Sequence, residues 1–154
     1  MVKVLFVCLG NICRSPMAES IFQRKVDEAG LSNEIMVDSA GTSSYHVGER
    51  AASETRRVLA AHGMSNNGRS RQVHAADFAD ESTYVIALDA ANMRDIRYRF
   101  GDQPRLALLM SYAENSDVMD VPDPYYERNF ETVYELIEDG CQGLLAAVRE
   151  AEGL

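Results

Sequence analysis

The feature that most constrains the fold is an apolar run near the start of the chain, VKVLFV at residues 2–7. A continuous apolar, β-branched run without helical spacing is typical of a strand buried on both faces of a parallel sheet. The segment CLGNICRS follows it, and Pro16 then opens a stretch of helical spacing that Gly30 ends, with Ser15 as the expected N-cap. The chain is therefore predicted to begin as a strand, a loop and a helix.

The same alternation continues along the chain. Further strands are predicted at residues 34–39, 84–88 and 105–110, and helices near 51–62, through 92–100 and over 130–150, with a helical turn around 75–78. Asp89 is the expected cap of the helix through 92–100, and Gly140 and Gly143 are expected to weaken the middle of the last helix. We predict one α/β domain over residues 1–154, a doubly wound parallel sheet of four or five strands with helices on both faces.

Composition and charge disfavour several classes of protein. No apolar run approaches the roughly 20 residues that span a bilayer, and no secretory signal is visible, so we expect a cytoplasmic protein that does not bind a membrane. The three cysteines are interpreted as thiols. A net charge of −9 disfavours nonspecific binding to nucleic acid. We expect a monomer, and no paired His, Cys or Asp spacing indicates a metal site.

The segment from Cys8 to Ser15 is the leading candidate for a functional site, because ligands of doubly wound sheets bind at the carboxyl ends of the strands. Five residues separate Cys8 from Arg14, enough for successive backbone N–H groups to curl inward around a tetrahedral oxyanion. The N-terminus of the following helix adds positive potential, and the Arg14 guanidinium matches two phosphoryl oxygens. In these surroundings we expect Cys8 to be a thiolate aimed at phosphorus.

Three neighbours of Cys8 are predicted to organise this loop. Gly10 is expected to let the backbone adopt an unusual conformation, and the Asn11 side chain to hold the turn by local hydrogen bonds. The Ser15 hydroxyl is placed to donate to the Cys8 sulfur. The alternative, in which Cys8 is an inert core residue with a surface arginine nearby, requires no such arrangement.

A thiolate that displaces an aryl group from phosphorus needs an acid, since a phenol has a pKa of about 10 and departs poorly as the anion. Asp123 lies between Pro122 and Pro124, which restrict the backbone on both sides. We predict Asp123 as the general acid. Asp117 and Asp120 remain alternatives, whereas Asp89 is better explained as a helix cap.

Together CLGNICRSPMAE, DSAGT and DPYY resemble the low-molecular-weight protein tyrosine phosphatase family, in the same order and over nearly the whole chain. The resemblance implies hydrolysis of phosphotyrosine in proteins through a phosphocysteine, without a cofactor. It implies Cys8 as nucleophile, Arg14 as phosphate clamp and Asp123 as acid and then base. The remaining residues of the phosphate loop would bind the substrate or organise the loop: Leu9, Gly10, Asn11, Ile12, Cys13 and Ser15.

On the same resemblance, three further residues take roles and Cys13 takes a second one. Cys13 matches a second cysteine that can pair with Cys8 on oxidation. Tyr45 matches an aromatic wall of the substrate cleft, although an ordinary loop aromatic is an equal interpretation. Tyr125 and Tyr126 match the aromatic pair beside the acid.

Two positions refine the resemblance. Relatives that act on phosphoarginine resemble this family but carry a Thr at the position of Ile12, so the isoleucine favours phosphotyrosine. Gly68 stands where many members have a histidine that bonds the loop asparagine, and Arg69, Ser70 or His74 are the candidates to replace it. No histidine is assigned a role, since His46 is expected to be solvated and His62 to end a helix.

Three other functions use the same anion loop. An arsenate reductase would need two further cysteines in a mobile segment past the middle of the chain, where DESTYVIALDAANMRD has none, and Cys141 is predicted to be a core residue. A protein-arginine phosphatase is the second alternative. A phosphoprotein-binding module, the third, would tolerate loss of Cys8 or Asp123.

Overall fold

The computed structural model describes residues 1–154. In chain order the elements are β1 (Val2–Cys8), α1 (Arg14–Glu28), β2 (Ile35–Gly41), α2 (Ser53–Ala61), β3 (Tyr84–Ala87), α3 (Ala90–Phe100), β4 (Leu106–Leu108), α4 (Pro124–Glu127) and α5 (Phe130–Glu152), with short 3₁₀ turns at Ala75–Phe78 and Leu109–Tyr112. The four strands form one parallel sheet in the order β2-β1-β3-β4. The predicted α/β class is confirmed, with four strands.

The central position of β1 follows from its uninterrupted apolar sequence. It pairs in parallel with β2 on one side and with β3 on the other. Val4 and Phe6 face the larger core, formed mainly with α1, α2 and α5, whereas Leu5 and Val7 face a smaller core that includes Ile96 of α3. Helices therefore cover both faces of the sheet, and the carboxyl end of β1 opens at Cys8 between its two neighbouring strands.

The glycines of α5 have a packing role that the sequence did not reveal. A Cβ atom at Gly143 would lie 1.8 Å from the carbonyl oxygen of Tyr112, and one at Gly140 would lie 2.7 Å from Leu109 Cγ. Both glycines let the 3₁₀ turn at Leu109–Tyr112 lie directly against α5. The helix nevertheless runs without a break from Phe130 to Glu152, so burial against the turn offsets the weak helix propensity of glycine.

Two local predictions were wrong. Ser15 does not cap α1, because the helix begins at Arg14 with Cys13 at the N-cap. Ser15 is fully buried and its hydroxyl is turned toward the sheet. Strand β4 is shorter than predicted, since the chain leaves the sheet after Leu108 and turns Leu109 and Met110 into the larger core.

The other boundaries agree with prediction to within a few residues. Gly30, with a φ of 72°, follows the end of α1 as expected. Asp89 caps α3 by accepting the Asn92 N–H at 2.7 Å. None of the helices is both long and apolar enough to cross a membrane.

Candidate active site

The loop between β1 and α1 curls around the sulfur of Cys8. The Asn11 N–H donates to Cys8 Sγ at 3.3 Å, and Ser15 Oγ lies 3.1 Å from the same sulfur. Cys8 is buried. The sulfur therefore has two polar contacts inside the loop, one with a backbone N–H group and one with a hydroxyl group.

The unusual backbone conformation of the loop lies at Asn11 and not at Gly10. Asn11 has a φ of 56°, in the left-handed region that asparagine tolerates better than most residues. Gly10 differs in another respect, because a Cβ there would lie 2.9 Å from His46 Cδ2, so the His46 ring would have to shift. The prediction of an unusual backbone conformation at Gly10 was therefore wrong, and what the glycine provides is room for the His46 ring.

The Asn11 side chain holds its strained backbone from three sides. Its Nδ2 donates to Ser15 Oγ at 2.7 Å and to Ser39 Oγ at 3.0 Å, and its Oδ1 accepts the Arg71 N–H at 3.0 Å. Ser70 supports the same loop at the preceding residue, where its hydroxyl donates to the Gly10 carbonyl at 2.9 Å. Asn11 thus has its hydrogen-bond partners although Gly68 offers no side chain.

The network continues from Ser39 to a carboxyl group on α1. The Ser39 hydroxyl donates to Glu19 Oε1 at 2.8 Å, and Asn66 Nδ2 approaches the same oxygen at 3.3 Å. Burial raises the pKa of Glu19, a shift opposed by the hydrogen bonds from Ser39 and Asn66. A continuous path of hydrogen bonds therefore links Glu19 through Ser39, Asn11 and Ser15 to the sulfur.

Arg14 is fixed by two elements distant in sequence. Its side chain is only 3% exposed, and Nη1 donates to Asp89 Oδ2 at 2.6 Å and to the Val121 carbonyl at 2.9 Å. Burial works against the positive charge, but Cys8 and Asp89 together raise the pKa of Arg14. The role of Asp89 in holding this guanidinium was missed by sequence reasoning, which had explained the residue fully as a helix cap.

Asp123 lies near the other terminal nitrogen of the Arg14 guanidinium. Its Oδ2 is 3.6 Å from Arg14 Nη2, and its Oδ1 accepts the Tyr125 N–H at 3.0 Å, which makes it the N-cap of α4. The side chain is 24% exposed, so it can meet a substrate. Of the alternatives, Asp120 accepts the Ala90 N–H at 2.9 Å, at the start of α3, and neither Asp120 nor Asp117 lines the cavity described next.

A cavity of about 370 Å³ lies above the loop, and Cys8, Arg14 and Asp123 all line it. Ten of the predicted residues line it: Cys8, Leu9, Gly10, Ile12, Cys13, Arg14, Tyr45, Asp123, Tyr125 and Tyr126. The other two, Asn11 and Ser15, lie behind the loop and support it. Ser43 and His46 also line the cavity, and sequence reasoning found neither.

The prediction that His46 is solvated was wrong. Its side chain is 15% exposed, and its Nδ1 lies 2.9 Å from Glu49 Oε2. The ring packs against Tyr45 and Tyr125 at centroid distances of 4.8 and 5.8 Å. Because the contact with Tyr125 joins parts of the chain far apart in sequence, no local pattern signals it.

The three cysteines have different surroundings. Cys13 lines the cavity beside Cys8, and burial, reinforced by the nearby Cys8, raises its pKa to about 12. Cys141 is fully buried in the larger core, as predicted, where burial raises its pKa further. No group of three or more His, Cys, Asp or Glu side chains is arranged to hold a metal ion.

Comparison with known proteins gives the same family throughout. The family model for low molecular weight phosphotyrosine protein phosphatase matches residues 3–153. The low molecular weight protein-tyrosine-phosphatase YfkJ of Bacillus subtilis is 45% identical, with 100% of both chains covered. The crystal structure of YfkJ has a TM-score of 0.93, covering 98% of this chain and 96% of that one.

Two other solved structures are informative. A protein tyrosine phosphatase of Entamoeba histolytica is 35% identical, with a TM-score of 0.92 over 99% of each chain. A Drosophila arginine phosphatase is 32% identical, with a TM-score of 0.86 over 96% of this chain and 98% of its own. Solved structures with this fold therefore include a named tyrosine phosphatase and a named arginine phosphatase.

Proposed function

The chain belongs to the low molecular weight phosphotyrosine protein phosphatase family, and we propose that it hydrolyses phosphotyrosine in proteins through a phosphocysteine intermediate. The observation that carries the proposal is the convergence of Cys8, Arg14 and Asp123 on one cavity. A nucleophile, a phosphate clamp and an acid are the three groups that metal-independent transfer of a phosphoryl group requires.

In the first step the Cys8 thiolate attacks phosphorus in line with the bond to the tyrosyl oxygen. A phosphorus–sulfur bond forms as the phosphorus–oxygen bond breaks, and protonated Asp123 gives its proton to the departing phenolate. Arg14 and the N–H groups of the loop stabilise the charge on the three equatorial oxygens. In-line displacement requires the acid and the nucleophile to act from opposite sides of the phosphoryl group.

In the second step a water molecule attacks the phosphocysteine. Asp123, now a carboxylate, takes a proton from this water as the new phosphorus–oxygen bond forms. The phosphorus–sulfur bond breaks, and inorganic phosphate and the Cys8 thiolate are released. The hydrogen bond from Ser15 stabilises the thiolate as a leaving group here and as a resting nucleophile before the first step.

The walls of the cavity support an aryl substrate. Tyr45, Tyr125 and Tyr126 are exposed aromatic side chains at its mouth, and Ile12 contributes an apolar surface beside the loop. A phosphorylated phenol ring can stack between such walls while its phosphate reaches the loop. A phosphoguanidino group, which carries polar N–H groups, would find no partner on the Ile12 side chain.

The alternative functions have less support. An arsenate reductase needs resolving thiols beyond the loop, and Cys141 is sealed in the core with its Sγ turned to the Ala18 carbonyl. A binding module needs neither a nucleophile nor an acid. The Drosophila arginine phosphatase, with the same fold, makes phosphoarginine the substrate class that an assay must test directly.

The proposed function is tested by hydrolysis of matched phosphotyrosine and phosphoarginine peptides in the presence of a chelator. The expected result is turnover of the phosphotyrosine peptide that Cys8→Ser abolishes. Faster turnover of the phosphoarginine peptide would replace the proposed substrate class. Arsenate reduction without any phosphatase activity would replace the reaction itself.

A further inference from the structure

His46 contacts two parts of the active site, although the proposed reaction assigns it no role. Its ring lies over the phosphate loop, where a Cβ atom at Gly10 would be 2.9 Å from its Cδ2. It also packs against the ring of Tyr125, two residues after Asp123, with the ring centroids 5.8 Å apart. The His46 side chain is 15% exposed and lines the cavity. The imidazole thus lies between the loop that carries the nucleophile and the segment that carries the acid.

The loop that bears His46 is braced against the phosphate loop. The imidazole Nδ1 lies 2.9 Å from Glu49 Oε2, a contact that restricts rotation of the ring. The Gly48 N–H donates to the Ser70 carbonyl at 2.8 Å, and the Ser70 N–H donates to the Glu49 carbonyl at 2.8 Å. The Ser70 hydroxyl in turn donates to the Gly10 carbonyl at 2.9 Å. Ser70 therefore ties the loop of His46 to the phosphate loop.

The segment that carries the acid is anchored at Val121. The Val121 N–H donates to the carbonyl of the residue after β3 at 3.0 Å, and the Val121 carbonyl accepts from Arg14 at 2.9 Å. Farther along, Asp123 Oδ1 accepts the Tyr125 N–H at 3.0 Å, so the orientation of the carboxylate depends on where Tyr125 lies. Two contacts from distant parts of the chain reach these side chains. Arg14 lies 3.6 Å from the Asp123 carboxylate, and the His46 ring lies against Tyr125.

We propose that His46 is a positioning residue for the acid, acting through Tyr125, so that its ring sets where Asp123 meets the leaving group. This inference rests on the proposed function and deepens it. Aromatic rings at this separation attract each other. A small displacement of an acid from its productive position slows proton transfer to the leaving group. The role requires the ring of His46 and not its charge, and the imidazole exchanges no proton with the substrate.

Two variants of His46 separate the ring from the contact with Glu49. His46→Asn keeps a hydrogen-bonding group for Glu49 and removes the ring, whereas His46→Phe keeps an aromatic ring and removes the hydrogen-bonding group together with any charge. His62→Asn is the matched control. His62 stacks on Tyr134 with the ring centroids 3.9 Å apart and lies 4.0 Å from a glutamate, Glu131, but it does not line the cavity.

The measurement is single-turnover release of phenol at saturating substrate, with phenyl phosphate as the poor leaving group and p-nitrophenyl phosphate as the good one. His46→Asn should slow the reaction of phenyl phosphate by about two- to tenfold, the range expected for loss of one aromatic contact. It should change the reaction of p-nitrophenyl phosphate little, because this leaving group depends less on the acid. That retained reaction also shows that the variant is folded. His46→Phe and His62→Asn should stay close to wild type on both substrates.

A double variant tests whether the effect passes through Tyr125. In Tyr125→Leu the contact between the rings is already lost, so adding His46→Asn should not change the ratio of the two rates further. The inference is overturned if His46→Asn slows both substrates equally, if His46→Phe or His62→Asn slows phenyl phosphate as much as His46→Asn does, or if the two substitutions act independently in the double variant. If the wild type hydrolyses neither aryl phosphate, it is the proposed function that fails.

Discussion

A single carboxylate, Asp89, joins the phosphate clamp to the start of a helix. Its Oδ2 accepts from Arg14 Nη1 at 2.6 Å, while its Oδ1 accepts the Asn92 N–H at 2.7 Å. The two residues Arg14 and Asp89 are 75 positions apart in the chain. The helix cap thereby fixes the orientation of the carboxylate, and the carboxylate fixes the guanidinium over the cavity.

Asp89→Asn is expected to separate these two roles. The amide oxygen still caps α3, so the free energy of unfolding should fall by less than for Asp89→Ala, where loss of the cap alone costs about 1 kcal/mol. Both variants should lower kcat/KM, about tenfold or more, because Arg14 loses the shorter of its two ion pairs. Asp120→Asn is the control, since Asp120 accepts at the start of the same helix without contacting Arg14. Equal activity of Asp89→Asn and Asp120→Asn would disprove the positioning role.

Asp123→Asn is expected to slow turnover in a way that depends on the leaving group. Poor leaving groups such as tyrosine need the proton, so their reaction should slow by about 10²- to 10⁴-fold. Aryl phosphates with acidic phenols should slow much less in the first step. The measurement is single-turnover release of phenol across a series of leaving groups. The same decrease for every phenol would remove Asp123 as the acid.

Glu19→Gln tests the buried end of the hydrogen-bond network. Because burial raises the pKa of Glu19, the wild-type carboxyl favours the folded state below its unfolded pKa of about 4.3 and loses this contribution as pH rises through the raised folded value. The free energy of unfolding of Glu19→Gln relative to wild type should therefore increase between pH 4 and pH 7. Denaturant unfolding at both pH values measures it. Glu28→Gln, exposed on the same helix, is the control for loss of one carboxyl group.

Mild peroxide is expected to give a reversible disulfide between Cys8 and Cys13. Peroxide oxidises Cys8 to a sulfenic acid, and the Cys13 thiol, whose pKa burial raises to about 12, then displaces water from it to form the disulfide. Peptide mapping before and after dithiothreitol detects the product, and Cys13→Ser should instead proceed to sulfinic acid. Sulfinic Cys8 as the sole product of the wild type would refute this pairing. Cys141, sealed in the core, should remain a thiol.

Sequence patterns predicted the scaffold because those patterns are local. The apolar run at 2–7 and the helical spacing after Pro16 each show, within a few residues, which positions are to be buried. Such patterns can be recognised without knowing which distant segment packs against them. The residues around Cys8 could be identified for the same reason, since nucleophile, clamp and helix start lie within one short segment.

The rest of the site depends on contacts between distant segments. Asp89 looks like an ordinary helix cap until Arg14 is brought to it, and His46 looks like a solvated loop residue until Gly10 and Tyr125 pack against it. Ser15 failed as a cap because its hydroxyl lies beside the Cys8 sulfur. In each case a tertiary hydrogen bond or contact overrode the local preference.

The most direct test of the mechanism is to trap the covalent intermediate. Asp123→Asn is mixed with an aryl phosphate that has a good leaving group, so that the first step proceeds while the second, which needs the base, is slowed. The reaction is quenched in acid within the first turnover and the protein is mapped by mass spectrometry. A phosphoryl group on Cys8, present in proportion to the phenol released, is the predicted result. A full equivalent of phenol released with no phosphoryl group on Cys8 would contradict the account.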